Sequence, residues 1–392
     1  MTPAPDTRAG GYGLLIFSIS LAIFMSGLDG TIVNIALPAI SESFNVSATA
    51  VSWVATSYLL VMVGCVLVFG KIADVIGFRR IFLAVLLGAK VIPAAVPSGT
   101  AAAFDRAGAL LAFTGLVSLV FVVSEGDTLG WTSPVILLLA LLAIGSLAGF
   151  VRNERAAADP LLDLSLFRSR NFFLTNLLLF LVFFSFSGIN YLLPFYLKYV
   201  SRYDTSTAGL ILTSLSFAMM AAGYLAGQLF NRLGPRLLCI IAGIPLILGY
   251  FMMTRLHTDT TVLYIVASLL LIGFELGLMV TPVTTMIMMS VPKSRSGMIS
   301  SLTGLLRTAP LSIGIATFNL IFTQGVLAIA RNRDVTMASP AALQLPVLAA
   351  GFDFAFLLSL VLGIVVLAVA VMTREEVHPD YAGDYQELVR EF

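Results

Sequence analysis

A chain of 392 residues that is 59% hydrophobic and 11% charged, with mean hydropathy +1.00, is not a water-soluble globule, where charge runs near ~25%. Lipid must solvate most of its surface, and a net charge of +1 leaves no electrostatic footprint for nucleic acid. Two cysteines inside apolar runs, Cys65 and Cys239, and two distant histidines, His257 and His378, imply neither a disulfide framework nor a metal site.

A bilayer core takes roughly 20 apolar residues per helix. Segments of that kind run near 13–37, 50–69, 107–124, 133–151, 171–197, 207–230, 237–254, 261–289, 296–323 and 354–373. The chain is therefore expected to be an all-α polytopic membrane protein with about ten transmembrane helices. The first segment lacks a small-residue cleavage pattern and reads as a retained helix. With the N-terminus placed in the cytoplasm, 16 of the 22 Lys and Arg residues fall in inner loops and 5 in outer loops. That asymmetry predicts both termini on the cytoplasmic side of the membrane.

The row Gly70-Lys71-Ile72-Ala73-Asp74-Val75-Ile76-Gly77-Phe78-Arg79-Arg80 recurs, weakened, from Gly227 to Arg236. A polar loop repeated after a long apolar segment marks internal duplication, as in many membrane transporters. The second unit holds six long apolar segments and the first only two. Between them, Ile81–Ala89 is too short to span, and Lys90, Pro93 and Pro97 break it. Two readings of 81–106 stand: a long inner loop, or the stub of a helix joined to a distant linker. The chain divides into 1–106, an incomplete N-terminal bundle; 107–170, a central helix pair with its inner linker; and 171–392, a six-helix C-terminal bundle with a tail.

The run Gly27-Leu28-Asp29-Gly30-Thr31-Ile32-Val33-Asn34-Ile35-Ala36-Leu37-Pro38 resembles the first-helix signature of drug:proton antiporters in the fourteen-helix branch of the major facilitator superfamily. Gly70 to Arg80 is similar to that superfamily's loop between its second and third helices. Asp159 to Arg168 is similar to the segment after the branch's two extra central helices, and Leu193-Pro194-Phe195-Tyr196-Leu197 with Ala208-Gly209-Leu210 to the opening of its C-terminal half. The resemblance implies a major-facilitator-type helical bundle in a bacterial inner membrane. It also implies export of small apolar or amphipathic compounds against proton entry. The family has four more helices after the first repeated loop, with an arginine on the fourth helix and a Gly-Pro-Gly-Gly type motif on the fifth, and this chain has neither.

Asp29 lies roughly 16 residues into its span, about 24 Å along a helix. A carboxylate at that depth costs about 3 kcal/mol on insertion scales and generally faces a cavity or a partner. It reads as a proton-carrying group or as a hydrogen-bonded interface residue, with Asn34 as a polar contact to substrate or to a neighbouring helix. Glu275 and Arg307 sit at similar depth on consecutive helices, so a static buried ion pair is one reading. An unpaired Glu275 acting as a second proton carrier is the other. The resemblance makes Gly70, Asp74, Gly77, Arg79 and Arg80 a latch between halves, while charge anchoring alone accounts for their basic residues. The aromatic run from Phe172 to Tyr196 reads as packing surface or as the wall of an apolar site. Gly223/Gly227 and Gly273/Gly277 have the spacing of close helix contacts.

Gly64 to Lys71 has one residue too many for a nucleotide-binding loop, and Ile72 stands where the hydroxyl belongs. No nucleophile elbow or sizeable soluble domain is present, so neither an enzyme nor a cofactor is expected. The partners expected are a small-molecule substrate, protons and the lipid bilayer; oligomeric state has no signature. Two functions remain: a drug:proton antiporter, or a shortened, transport-incompetent membrane protein with at most an assembly or regulatory role. Because alternating access needs two comparable bundles around a central site, the short front half predicts that this form alone does not complete a transport cycle.

Overall fold

The computed structural model describes residues 36–46, 51, 53–55, 57, 58, 61, 105–156, 162–292, 295–334 and 341–381. Asp29, Asn34, Gly70, Asp74, Gly77, Arg79, Arg80 and the segment 81–104 lie outside the described residues. From residue 105 onward the chain forms helices α1 (Arg106–Leu129), α2 (Pro134–Ala156), α3 (Arg170–Tyr199), α4 (Thr205–Met253), α5 (Val262–Met289), α6 (Ser296–Asn332) and α7 (Ala341–Met372), with a 3-10 turn at Leu164–Arg168. Helices α2, α3, α5, α6, α7 and each arm of α4 are long and apolar enough to cross a bilayer.

Polar side chains set the starts. Asp105 accepts from the Gly108 amide, Ser169 from Phe172, and Asp204 from Ser206 and Thr207, each satisfying amides a helix N-terminus leaves open. The Thr207 hydroxyl and amide hold the Asp204 carboxyl below its ordinary range. The second repeated loop is narrower than its sequence pattern predicts. Helix α4 runs through it and breaks only at Gly234, whose φ of 74° belongs to the left-handed region that glycine tolerates. Pro235 then opens the second arm, where its missing amide costs nothing.

One hydrophobic core runs through α3 to α7 and takes in Leu37, Val51 and Ala55 from the front of the chain. Helix α3 packs on α6 and α7, and α4 lies along α5. The α4–α5 contact depends on absent side chains. A Cβ on Gly273 would stand 2.2 Å from the Leu215 carbonyl oxygen, and one on Gly277 2.2 Å from that of Met219. Gly223 lies beside Gly277, whereas Gly227 has nothing within 4 Å, so only part of the predicted glycine pairing is a close contact. The α1–α2 pair forms a smaller cluster around Ala109, Ala112 and Phe150 that reaches α6 at Leu305. Its outer residues Leu138, Leu141 and Ile144 remain exposed, as a lipid-facing surface requires.

At one end of the bundle, called here the linker end, residues 373–381 strap the helices together. The Asn171 side chain brackets Arg374, donating to its carbonyl and accepting from its amide at 2.7 Å each. Glu375 accepts from the Arg236 amide at 3.1 Å, and the His378 amide donates to the Met289 carbonyl at 2.8 Å. The linker itself also joins this end: Leu162, Leu166 and Phe167 pack against the core, and Asp163 pairs with Arg295. The linker is thus docked on protein.

The last span needs correction. Residues 354–373 mark its apolar centre, but α7 begins at Ala341. Gln344 and Pro346 dilute the apolar pattern, yet the helix runs through both. Asp353 thereby falls inside α7.

The glycine contact yields a paired expectation. Gly277→Val should cost at least about 2 kcal/mol by driving backbones apart. Gly227→Ala should be neutral or gain up to about 1 kcal/mol from helix propensity. Thermal melting followed by helical circular dichroism in detergent checks both.

Candidate functional site

Glu275 sits in the middle of α5 at 0% exposure, and neither carboxyl oxygen has a hydrogen-bond partner. Ile272, Leu276, Leu278 and Met279 around it on the same helix are all buried. The close approach at Gly273 and Gly277 seals α5 against α4 on one side. Tyr250 and Cys239, on the second arm of α4, are also at 0% exposure.

The Glu275–Arg307 pair is not formed. Arg307 Nη2 instead donates to Thr284 Oγ1 at 2.9 Å, and that hydroxyl donates to the Val280 carbonyl at 2.7 Å. Thr284 is nine residues from Glu275 along α5, about 13 Å at 1.5 Å per residue. The reason lies in side-chain direction. Helical Cα–Cβ bonds tilt toward the helix N-terminus. Helix α6 starts at the linker end and α5 at the far end, so Arg307 leans one way and Glu275 the other. Equal depth along antiparallel helices does not bring two long side chains together.

Three hydroxyls tie α3, α4 and α7. Ser185 Oγ of α3 donates to the Val182 carbonyl at 2.9 Å and lies 3.0 Å from Tyr250 Oη of α4. Ser359 Oγ of α7 donates to the Ser185 carbonyl at 3.0 Å. Ser185 and Ser359 are at 0% exposure.

Toward the far end lies a cavity of ≈ 310 Å³. Tyr191, Phe195 and Tyr199 of α3, Phe322 of α6 and Phe352 of α7 supply aromatic faces, with Asn319 and Ser41 as polar points. Part of the aromatic run therefore borders open space, while Phe172 is core and Phe173 is 49% exposed. Ser41 and Val46 close the cavity from the front of the chain, and Lys198 Nζ meets Glu42 Oε2 at 2.9 Å beside it.

Asp353 was hidden by the misplaced start of α7. It receives the Leu256 amide, and its Oδ2 stands 3.9 Å from His257 Nδ1, so it helps seat the α4–α5 turn. Tracing the helix through Pro346 rather than starting after it would have exposed this carboxylate in the sequence.

Thr284→Val keeps the shape of the site but removes the Arg307 acceptor, and should cost about 1–3 kcal/mol. Thermal melts of the purified variant measure that loss; an unchanged melt would mean Arg307 is anchored elsewhere.

The family model for the Major Facilitator Superfamily matches residues 19–104 and 98–315. The multidrug resistance protein Stp of Mycobacterium tuberculosis is 28% identical over 406 residues, covering 79% of this chain and 75% of that protein. The puromycin resistance protein pur8 of Streptomyces alboniger is 24% identical, covering 86% of each chain. The riboflavin transporter RibZ of Clostridioides difficile is 22% identical, covering 80% of this chain and 89% of that one. Since 79% of 392 residues is about 310, about 96 of the 406 positions aligned with Stp have no residue here. Matched over most of its length by the family model, the chain belongs to the Major Facilitator Superfamily.

Proposed function

We propose that this chain is a secondary transporter that exports small apolar or amphipathic compounds in exchange for protons, in a bacterial inner membrane with both termini cytoplasmic. The observation that carries the proton is Glu275, a fully enclosed carboxyl with no partner on either oxygen. A charge held there would cost several kcal/mol, and binding a proton removes that cost. Asp29 is the principal coupling carboxyl in this reading, by its depth in the first helix and the motif around it, with Asn34 beside it as a substrate contact. The aromatic cavity suits a planar apolar compound, with Asn319 and Ser41 to orient it. Two of the relatives carry drug resistance in their names, which fits this substrate class. Arg307 holds α5 and α6 in register through Thr284 rather than neutralising the carboxyl. Gly70, Asp74, Gly77, Arg79 and Arg80 form the inner latch.

A second reading rests on length. The two stretches matched by the family model meet at residues 98–104, inside the short segment 81–106. The roughly 96 aligned positions without a residue amount to about four helices of ~20–25 residues. On this reading the 392-residue form inserts and folds its C-terminal bundle but lacks the opposing surface for alternating access.

One assay separates the two. Purified protein in liposomes, its length confirmed by mass spectrometry, is given a pH gradient and a fluorescent amphipathic compound. The first reading expects gradient-driven movement that Asp29→Asn abolishes while insertion stays intact, because the amide keeps the shape but carries no proton. Wild-type rates in that variant would remove Asp29 from the coupling role. Intact insertion with no flux at all would establish the second reading.

A further inference from the structure

The front of the chain reaches the aromatic cavity as a helix end. A helix over 36–44 stops at Asn45, whose φ of 52° lies in the left-handed region. The Asn45 amide donates to the Glu42 carbonyl at 3.2 Å and the Val46 amide to the Ser41 carbonyl at 3.0 Å, the two bonds of a Schellman end. Ser41 Oγ adds a bond to the Val46 carbonyl at 2.6 Å. The turn 41–46 therefore satisfies much of its own backbone and keeps these bonds if it moves as a unit.

Little apolar surface holds the turn down. Glu42 to Val46 are all exposed, Phe44 at 75%, and sparse contacts mark segments that open at small cost. Its flanks are fixed, with Leu37 before it and Val51 after it in the shared core. Ser41 and Val46 nevertheless line the cavity together with Tyr191, Phe195 and Tyr199 of α3. Among the described residues, the polar tie between this turn and the bundle is Glu42 Oε2 with Lys198 Nζ, 2.9 Å apart. Glu42 lies in the last turn of its helix, where a carboxylate opposes the helix dipole. It gives its own helix nothing there, and Lys198 answers both the carboxylate and that negative end. An exposed pair of this kind shifts an equilibrium only a few-fold and weakens with salt. Such a tie suits a catch that releases better than a permanent brace.

We propose that the turn 41–46 is a flap over the far-end mouth of the aromatic cavity, latched shut by the Glu42–Lys198 ion pair. In the orientation proposed above the far end faces outward, so the flap governs exchange between the cavity and the outer medium. With the pair made, as here, Ser41 and Val46 stand in the cavity wall. With it broken, the turn swings on its fixed flanks with its own hydrogen bonds kept, and the two residues leave the wall. The inference deepens the transport reading and rests on it for the cavity being the substrate's seat. The latch itself is measured without transport.

Thiol labelling of the full chain in lipid nanodiscs tests the latch. Leu348→Cys places a thiol on the cavity wall, and its rate with a hydrophilic thiol reagent is corrected for the parent's Cys65 and Cys239. Lys198→Glu sets two carboxylates against each other and should speed labelling by about threefold or more. Glu42→Lys should do the same with two ammonium groups. Combining the two restores opposite charges and should return the rate to within about twofold of the parent. High salt should speed labelling in the parent and in the swap, and leave Glu42→Gln, which has no pair to screen, unchanged. General loosening by either substitution would not be repaired by the swap, and helical circular dichroism checks each variant. Single reversals that label at the parent rate, or that the swap does not bring back, would overturn the latch. Gated labelling with no gradient-driven flux in liposomes would remove the transport reading and leave the latch standing.

Discussion

The bilayer core offers no hydrogen bonds, so every polar group placed there must be answered by the protein or carry its cost. Several serines and threonines meet that demand locally: Thr175, Ser268, Ser301 and Thr317 each return a hydroxyl to a carbonyl three or four residues back on their own helix. Arg307 meets it with a threonine of the next helix. Among the described residues, Glu275 is the enclosed carboxyl with neither oxygen answered.

Backbone contact encloses that carboxyl. Gly273 and Gly277 bring α5 against the carbonyls of Leu215 and Met219, and Gly314 brings α6 against Ser187 of α3. With no hydrophobic drive between helices in lipid, such small-residue contacts supply much of the association. At the linker end, Asn171, Arg236 and Met289 are bound to the segment after α7. That ties α3, α4, α5 and α7 into one body, while beside the far-end cavity Lys198 pairs with Glu42 and Leu37 joins the core.

Hydropathy alone made the bundle legible. Spans expected at 171–197 and 261–289 fall within a few residues of α3 and α5, because long apolar runs bounded by charge leave little choice. It failed where polar residues enter a helix: Gln344, Pro346 and Asp353 hid the first turns of α7. The site was legible in part. Depth marked Glu275 and Arg307 as costly, but depth is one coordinate, and the direction of each side chain decided that they part. The Tyr250–Ser185 contact joins residues 65 positions apart, and the cavity draws on four separate stretches of chain. No local pattern encodes either.

That Glu275 stands free of Arg307 is tested most directly by a double-mutant cycle on thermal stability using Glu275→Gln, Arg307→Gln and both together. Independent sites predict an interaction energy within about 0.5 kcal/mol of zero. A buried ion pair would be broken by either single change and would give about 3 kcal/mol or more, which would return Glu275 to a structural role.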